Sequence, residues 1–254
     1  MNNLTIIISV YNGALTISDT LLSIKKCVNE WGAQLLIIDA KSADNTINEI
    51  NKCKIKHRLI QEKDDGLYFA WNKAIKLAKT DFIFFLNADD TLDTPTALKV
   101  LIDCLSENER YVCASGMTKM IRKDGKTARR GKKLKYNKFY GEMPIVTPAT
   151  VFRRSALQQL GGFDTRYLIA ADYDLAQRML ARFGYNRFAF MKFEIVNFSI
   201  DGMSNTQIEK VNNEIKHIVL KNYGIFGYVI HKFSMIIILL KRTLLKLLFY
   251  AKKI

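Results

Sequence analysis

Aspartates in this chain stand just after apolar runs. Asp39 closes QLLIID (34–39), and the polar stretch that follows it carries Asp44. Asp64-Asp65-Gly66 follow RLIQE (58–62), and Asn87-Ala88-Asp89-Asp90 follow DFIFFL (81–86). Tyr11-Asn12 follow LTIIISV (4–10). Adjacent carboxylates such as Asp89 and Asp90 repel unless solvent or a cation separates them. Their hard oxygens suit Mg²⁺ or Mn²⁺, which one or two carboxylates hold together with substrate phosphates. Asp39 suits another task, accepting hydrogen bonds from the N–H or hydroxyl groups of a base or ribose. Taken singly, Asp39, Asp44 and Asp90 also fit as turn or N-cap residues. Four such loops arriving together ask for a shared ligand.

The elements that must bring them together read directly from the sequence. The runs at 4–10, 34–39, 58–62 and 81–86 are short, apolar and rich in β-branched residues, as buried strands are. Helical patterns separate them: one capped by Ser18, one near 46–53, one at 67–79, and one begun by Asp93 or Thr94 with Pro95 in its first turn. Such alternation predicts a parallel sheet covered on both faces, which binds ligands beyond the carboxyl ends of its strands. The second half is less regular. Strands are expected near 111–120, 149–153 and 187–198, and helices at 155–160 and 172–183.

The whole chain has 254 residues, 49% apolar and 25% charged, which excludes a disordered class. Without an internal repeat, it is no solenoid or propeller. The net charge of +15 is local. Residues 117–138 hold ten Lys/Arg and one Asp, residues 225–254 six Lys/Arg and no acid, and the remainder balances at 23 of each sign. Two basic segments on a neutral body fit docking to an anionic surface or substrate. The first reads as a mobile loop that contacts donor, acceptor or membrane, or is simply solvated. The only aromatic residue in its strongly basic run is Tyr136, thin for base stacking, so no nucleic acid is expected. In the second, the longest apolar run is Met235–Leu240, far short of the roughly 20 residues that span a bilayer. It reads as an interfacial helix on an anionic membrane, with packing on the core or a second subunit as the alternative. Cys27, Cys53, Cys104 and Cys113 form no metal pattern. With no signal-peptide pattern at the start, reduced thiols and a cytoplasmic location on the inner face of the inner membrane are expected.

The motifs resemble, in order, those of inverting glycosyltransferases of family 2, with the GT-A fold, and are most similar to bacterial enzymes of surface-polysaccharide assembly. IIISVYN (6–12) resembles the opening strand and nucleotide loop, and DAKSADNT (39–46) the D-G-G-S-x-D-x-T motif. EKDDGLYFAWNKAIKLA (62–78) resembles E-x-D-x-G-x-Y-D-A-x-N-K-G-I-x-x-A, and FFLNADD (84–90) the metal-binding strand end. TPATVFRRSALQQLGGFD (147–164) and AADYDLAQRM (170–179) resemble the acceptor-side pair. The likeness covers roughly 4–205, which implies a GT-A domain at 1–205 (nucleotide-sugar half 1–110, acceptor half 111–205) and a helical, membrane-associating segment at 206–254.

Carried over by residue, the resemblance gives Asp39 the base and puts Tyr11 and Asn12 in the nucleotide pocket. Asp64, Gly66, Tyr68 and Asn72 close over the nucleoside. Asn87 and Asp89 take the ends of the D-x-D-like triplet, with Asp89 or Asp90 on a Mn²⁺ or Mg²⁺ ion. Asp172 is the general base, and its place at the start of a helix would help keep it ionised. Arg153 and Arg154 are further candidates to approach the diphosphate. Ala40 and Lys41 stand where the family prefers glycine, Phe69 where it has Asp, and Ala171 where many relatives have Glu. The histidine common just before the FRRS-like stretch is absent. These departures bear on donor identity more than on catalysis. The implied activity is transfer of a sugar from a nucleotide-diphosphate sugar, with UDP as the expected nucleotide, to a hydroxyl of a lipid-linked glycan. The alternatives are a basic nucleic-acid-binding protein and a catalytically inactive sugar-nucleotide scaffold.

Overall fold

The computed structural model describes residues 3–121, 127–131, 143, 145–199 and 207–251. Four parallel strands form its first half: β1 (Leu4–Val10), β2 (Gln34–Asp39), β3 (Arg58–Gln61) and β4 (Phe82–Asn87). The helices α1 (Ile17–Asn29), α2 (Thr46–Lys52) and α3 (Leu67–Leu77) connect them. A two-residue β5 (Thr91–Leu92) and α4 (Pro95–Glu107) follow. Then come β6 (Cys113–Ile121), β7 (Thr127–Arg130), β8 (Thr150–Arg153), α5 (Arg154–Gln159), α6 (Ala171–Phe183), β9 (Phe188–Ser199) and α7 (Ile208–Ala251).

Among the described residues all nine strands join one sheet, in the order β3-β2-β1-β4-β8-β6-β9-β5, with β7 on β6. The four opening strands run parallel as the sequence predicts; β8 enters antiparallel to both β4 and β6, so the sheet is mixed. Alternation along the strands loads both faces. Ile6, Ile8, Ile37 and Phe84 join the core under α1, α2 and α4. Ile7, Leu36, Ile38 and Phe85 join the core under α3, α5, α6 and α7. On that second face Trp71 lies 4.6 Å from Phe85 and 5.2 Å from Phe163, and Tyr68 stacks on Phe163.

Helix ends differ in detail from the sequence reading. Thr16, not Ser18, precedes α1, and the Ser18 hydroxyl instead donates to Glu49 on α2. Thr94 caps α4 by accepting from the Ala97 N–H, with Pro95 in the first turn. The basic segment is not a mobile loop at its start: 117–121 and 127–130 are paired strands, while 122–126 and 132–138 lie outside the described residues. The cysteines are free thiols, and burial pushes Cys27 up to about 11 and raises Cys113 as well, which keeps them protonated.

The expected boundary at 205/206 falls within 200–206, outside the described residues. Beyond it, the first part of α7 packs on the domain. Ile218 and Val219 are fully buried, His217 pairs with Tyr167, and the Tyr223 hydroxyl bonds Gln177 on α6. The helix kinks at Gly224, whose φ of 65° lies in the left-handed region where glycine is free of Cβ strain. Among the described residues no helix is long and apolar enough to cross a membrane.

Candidate active site

Parallel register places the four polar loops at one sheet edge: Val10 pairs with Asp39, Asp39 with Gln61, and Ser9 with Asn87. A cleft of about 1300 Å³ opens there. Its floor is the strand ends, and its far wall comes from the loop before α6 and from α7.

The loops after β1 and β2 brace one another. Asn12, in the left-handed region at φ 50°, donates its backbone N–H to Ser42 Oγ and accepts the Ala43 N–H. The Gly13 N–H donates to Thr46 Oγ1 at 2.8 Å, and the Ala14 N–H to Asp44 at 3.1 Å. These bonds hold Asp44 below the usual carboxylate range, the Thr46 hydroxyl contributing most. Tyr11 lines the cleft and is 65% exposed. Lys41 also lines the cleft, at φ 60°. A lysine in that region costs on the order of 1–2 kcal/mol over glycine, which accounts physically for the glycine in the motif it resembles.

Asp39 is fully buried beneath the cleft, where it accepts the Ser42 N–H at 3.1 Å, the Ser42 hydroxyl, and Gln61 Nε2 at 3.4 Å. Asp64 and Gly66 line the cleft. Asp64 accepts the Gly66 N–H at 3.0 Å, and burial raises its carboxyl, helped by the charges of Asp65 and Asp39. Gly66 takes φ 129° at the start of α3, a conformation L side chains rarely adopt. At the end of β4 the chain turns, the Asp90 N–H donating to the Asn87 carbonyl. Asn87 and Asp89 face the cleft. Asp90 is fully buried away from it, where its carboxylate accepts from Asn87 Nδ2 at 3.0 Å and its carbonyl from Thr20.

Asn72 does not line the cleft. Its amide clamps the backbone of Phe163 from both sides, donating to the carbonyl and accepting the N–H, each at 2.8 Å. Arg153 and Arg154 are also remote. They bond the carbonyls of Leu105, Tyr111 and Thr80 around the start of β4, the opposite end of that strand from Asn87.

Asp172 stands in the first turn of α6, lines the cleft, and accepts the Tyr173 N–H at 2.8 Å. Burial lifts its carboxyl above the ordinary value. The Tyr173 N–H, the Arg130 guanidinium and the neighbouring Tyr68 hydroxyl oppose that rise. Tyr68 donates to the Ile169 carbonyl at 2.7 Å, and burial beside the Asp172 charge keeps the phenol well above its usual pKa. Asp174 of the same motif is structural: it pairs with Arg178, which in turn holds the carbonyls of Leu160 and Gly162.

Several contributors lie outside the motifs. Glu214 on α7 accepts the N–H groups of Leu168, Ile169 and Ala170 at 3.0, 3.0 and 2.8 Å, fixing the loop that delivers Asp172. Arg130 reaches the cleft from β7, and Lys216, Tyr228, His231 and Lys232 reach it from α7. The cleft-lining Ser9, Trp71, Thr147 and Tyr173 each carry a buried polar atom with no protein partner among the described residues.

A curled, mostly parallel sheet whose carboxylate-rich edge faces a cleft closed by a second, acid-bearing wall defines a GT-A-like sugar-transferring protein. Comparison with known proteins agrees. The model described as Glycosyl transferase family 2 matches residues 5–161, so this chain belongs to that family and is a glycosyltransferase drawing its sugar from a nucleotide donor. It is 26% identical over 182 residues to a Mycobacterium tuberculosis PGL/p-HBAD biosynthesis glycosyltransferase, covering 70% of each chain. In fold it is similar to the Pyrobaculum calidifontis mannosyltransferase PcManGT in complex with GDP-Man and Mn²⁺ (TM-score 0.67, 19% identity, 86% of this chain and 63% of that one). It is likewise similar to S. aureus TarS 1–349 in complex with UDP (TM-score 0.62, 18% identity, 87% and 66%). The chain thus spans slightly under two thirds of each of these two solved chains.

Proposed function

We propose that this glycosyltransferase moves a sugar from a UDP-sugar to a hydroxyl of a lipid-linked glycan by inverting displacement, with Asp172 as general base. One observation carries the reading: Asp172 and the donor-side Asp64 and Asp89 line the same cleft from opposite walls. The acceptor oxygen attacks the anomeric carbon, its proton passes to the Asp172 carboxylate, and the bond to the nucleoside diphosphate breaks. A carboxyl lifted by burial is a stronger base than an exposed one, and Tyr68 and Glu214 keep it placed. On the donor wall, Tyr11 offers a face for the base, Asp64 and Gly66 border the nucleoside, and Asp39, which the resemblance gives to the base, lies buried beneath the cleft with its carboxylate on Ser42 and Gln61, where it stiffens the loop.

The residues at the β4 end fit a divalent metal. Asp89 supplies a carboxylate facing the cleft, and Mg²⁺ or Mn²⁺ needs only one or two such ligands when phosphates complete its shell. Asp90, turned inward onto Asn87, supports the turn. When bound, such an ion would offset the charge of the departing diphosphate. PcManGT in complex with Mn²⁺ shares this fold.

The outer side of α7 beyond Gly224 exposes Ile225, Phe226, Val229, Phe233 and Ile236, and the sequence then adds Lys241, Arg242, Lys246, Lys252 and Lys253. An apolar stripe followed by cations suits the surface of an anionic membrane, which supports a place on its cytoplasmic face.

The test is thermal stabilisation by a panel of nucleotide sugars with and without Mn²⁺. A donor at a hundred times its Kd raises stability by about 2.7 kcal/mol. UDP-sugars are expected to stabilise the protein only with the metal. Stabilisation by GDP-sugars alone, or equally without metal, would overturn the donor or the metal assignment respectively.

A further inference from the structure

On the α7 wall of the cleft, the Tyr228 ring is flanked by two ammonium groups, Lys216 Nζ at 5.9 Å and Lys232 Nζ at 5.5 Å from its centre. The His231 ring stacks beside it at 6.4 Å. Neither lysine lies within ion-pair distance of a carboxylate among the described residues. The grouping depends on the kink: Tyr228, His231 and Lys232 share one helix face by i+3 and i+4 spacing, and Gly224 turns that face back towards Lys216. Gathered like charges cost free energy unless they meet an anion, and the tyrosine face offsets only part of that cost.

We infer that Lys216, Lys232 and His231 around Tyr228 form the anion subsite of the acceptor and take a phosphate ester carried by it. This wall belongs to the acceptor side. Glu214, two residues before Lys216, holds the loop that leads into Asp172, whereas the donor residues occupy the strand ends. Val211 and Ile215 add apolar surface within the cleft beside the cations. A phosphate next to an apolar chain matches that lining, and a phosphate seated here shares the cleft with Asp172. The inference rests on the acceptor reading above and sharpens it: the acceptor is phosphorylated, and the phosphate is recognised by α7.

Calorimetric titration of the full chain tests it, with decyl phosphate below its micelle concentration, uncharged decyl glucoside and inorganic phosphate as probes. Each titration is run with and without saturating UDP and Mn²⁺. Decyl phosphate is expected to bind with UDP present. The K216Q/K232Q variant is expected to weaken it about tenfold or more, since two charge-assisted contacts are lost. Both lysines are solvent-exposed, so the fold tolerates the change; unchanged UDP affinity of the variant checks this, and Lys232→Gln alone serves as the milder variant. Equal binding by inorganic phosphate assigns a soluble sugar phosphate, and a need for the decyl chain assigns a lipid phosphate. Decyl glucoside binding as tightly as decyl phosphate, unchanged phosphate affinity in both variants, or displacement of the probe by UDP overturns the subsite. Failure of UDP itself to bind wild type would instead indict the donor reading.

Discussion

The two walls of the cleft are built by opposite strategies. On the donor wall each carboxylate is steadied by neighbours close in sequence: Asp39 by Ser42, Asp44 by Thr46, Asp64 by Gly66, Asp90 by Asn87. On the acceptor wall Asp172 depends on partners far away in sequence, with Tyr68 and Glu214 fixing the backbone in front of it across about 101 and 44 residues. Short turns set each carboxylate of the donor wall, and bonds between the loops after β1 and β2 tie those turns together, whereas the acceptor wall is assembled only when α3, α6 and α7 have packed. Changes on the first wall should therefore act on nucleotide affinity, and changes on the second on turnover.

Asp172→Asn is the sharpest test of that contrast. Turnover should fall about a hundredfold or more while UDP affinity stays near wild type; normal turnover in the variant removes Asp172 from the role of base. The wild-type rate should rise with pH, because only the ionised carboxylate accepts a proton. Since burial raises that carboxyl, the midpoint of the rise should lie above that of an ordinary aspartate. Glu214→Ala should have the next largest effect, lowering kcat about tenfold with the donor KM unchanged. Glu214→Gln should recover part of the loss, because its amide oxygen still accepts N–H donors. A rise in donor KM with kcat intact would erase the distinction between the walls. Ending the chain after Ile236 should have the smallest effect on catalysis, about twofold or less with a water-soluble acceptor. The same truncation should abolish binding to vesicles rich in anionic lipid, since it removes five cations worth about 1 kcal/mol each at a charged surface. Vesicle binding that survives would place the anchor elsewhere.

The same contrast explains what could be read from the sequence. Strands such as LTIIISV and FIFFLN are continuous apolar runs, and their carboxyl ends carry the polar residues, so β1 to β4 and the donor loops were legible from local pattern. The place of Asp172 in the cleft, at the start of α6, was legible through its motif. The inward turn of Asp90 and the clamp of Asn72 on Phe163 were not, because a polar residue beside a cleft and one beneath it have the same local sequence. Arg153 and Arg154, candidates to approach the diphosphate, stand at the far end of the sheet because β8 runs antiparallel to β4 and pairs Arg153 with Phe82. Glu214 carries no signal at all, since its three N–H donors lie in another element. The run beyond Gly224 reads as an interfacial helix with packing on the core as the alternative, and one face of it does supply cleft residues, Tyr228, His231 and Lys232.

The Asn72 clamp also limits how such enzymes can be recombined. Asn72 and Tyr68 sit in α3, in the first half of the chain, but hold the backbone at Phe163 and Ile169 in the second. Grafting residues 1–110 onto a foreign second half would strand those donors and acceptors unless the recipient offered the same backbone path. A working chimera must therefore exchange α3 and the 160–170 turn as a single cassette, whatever else is swapped.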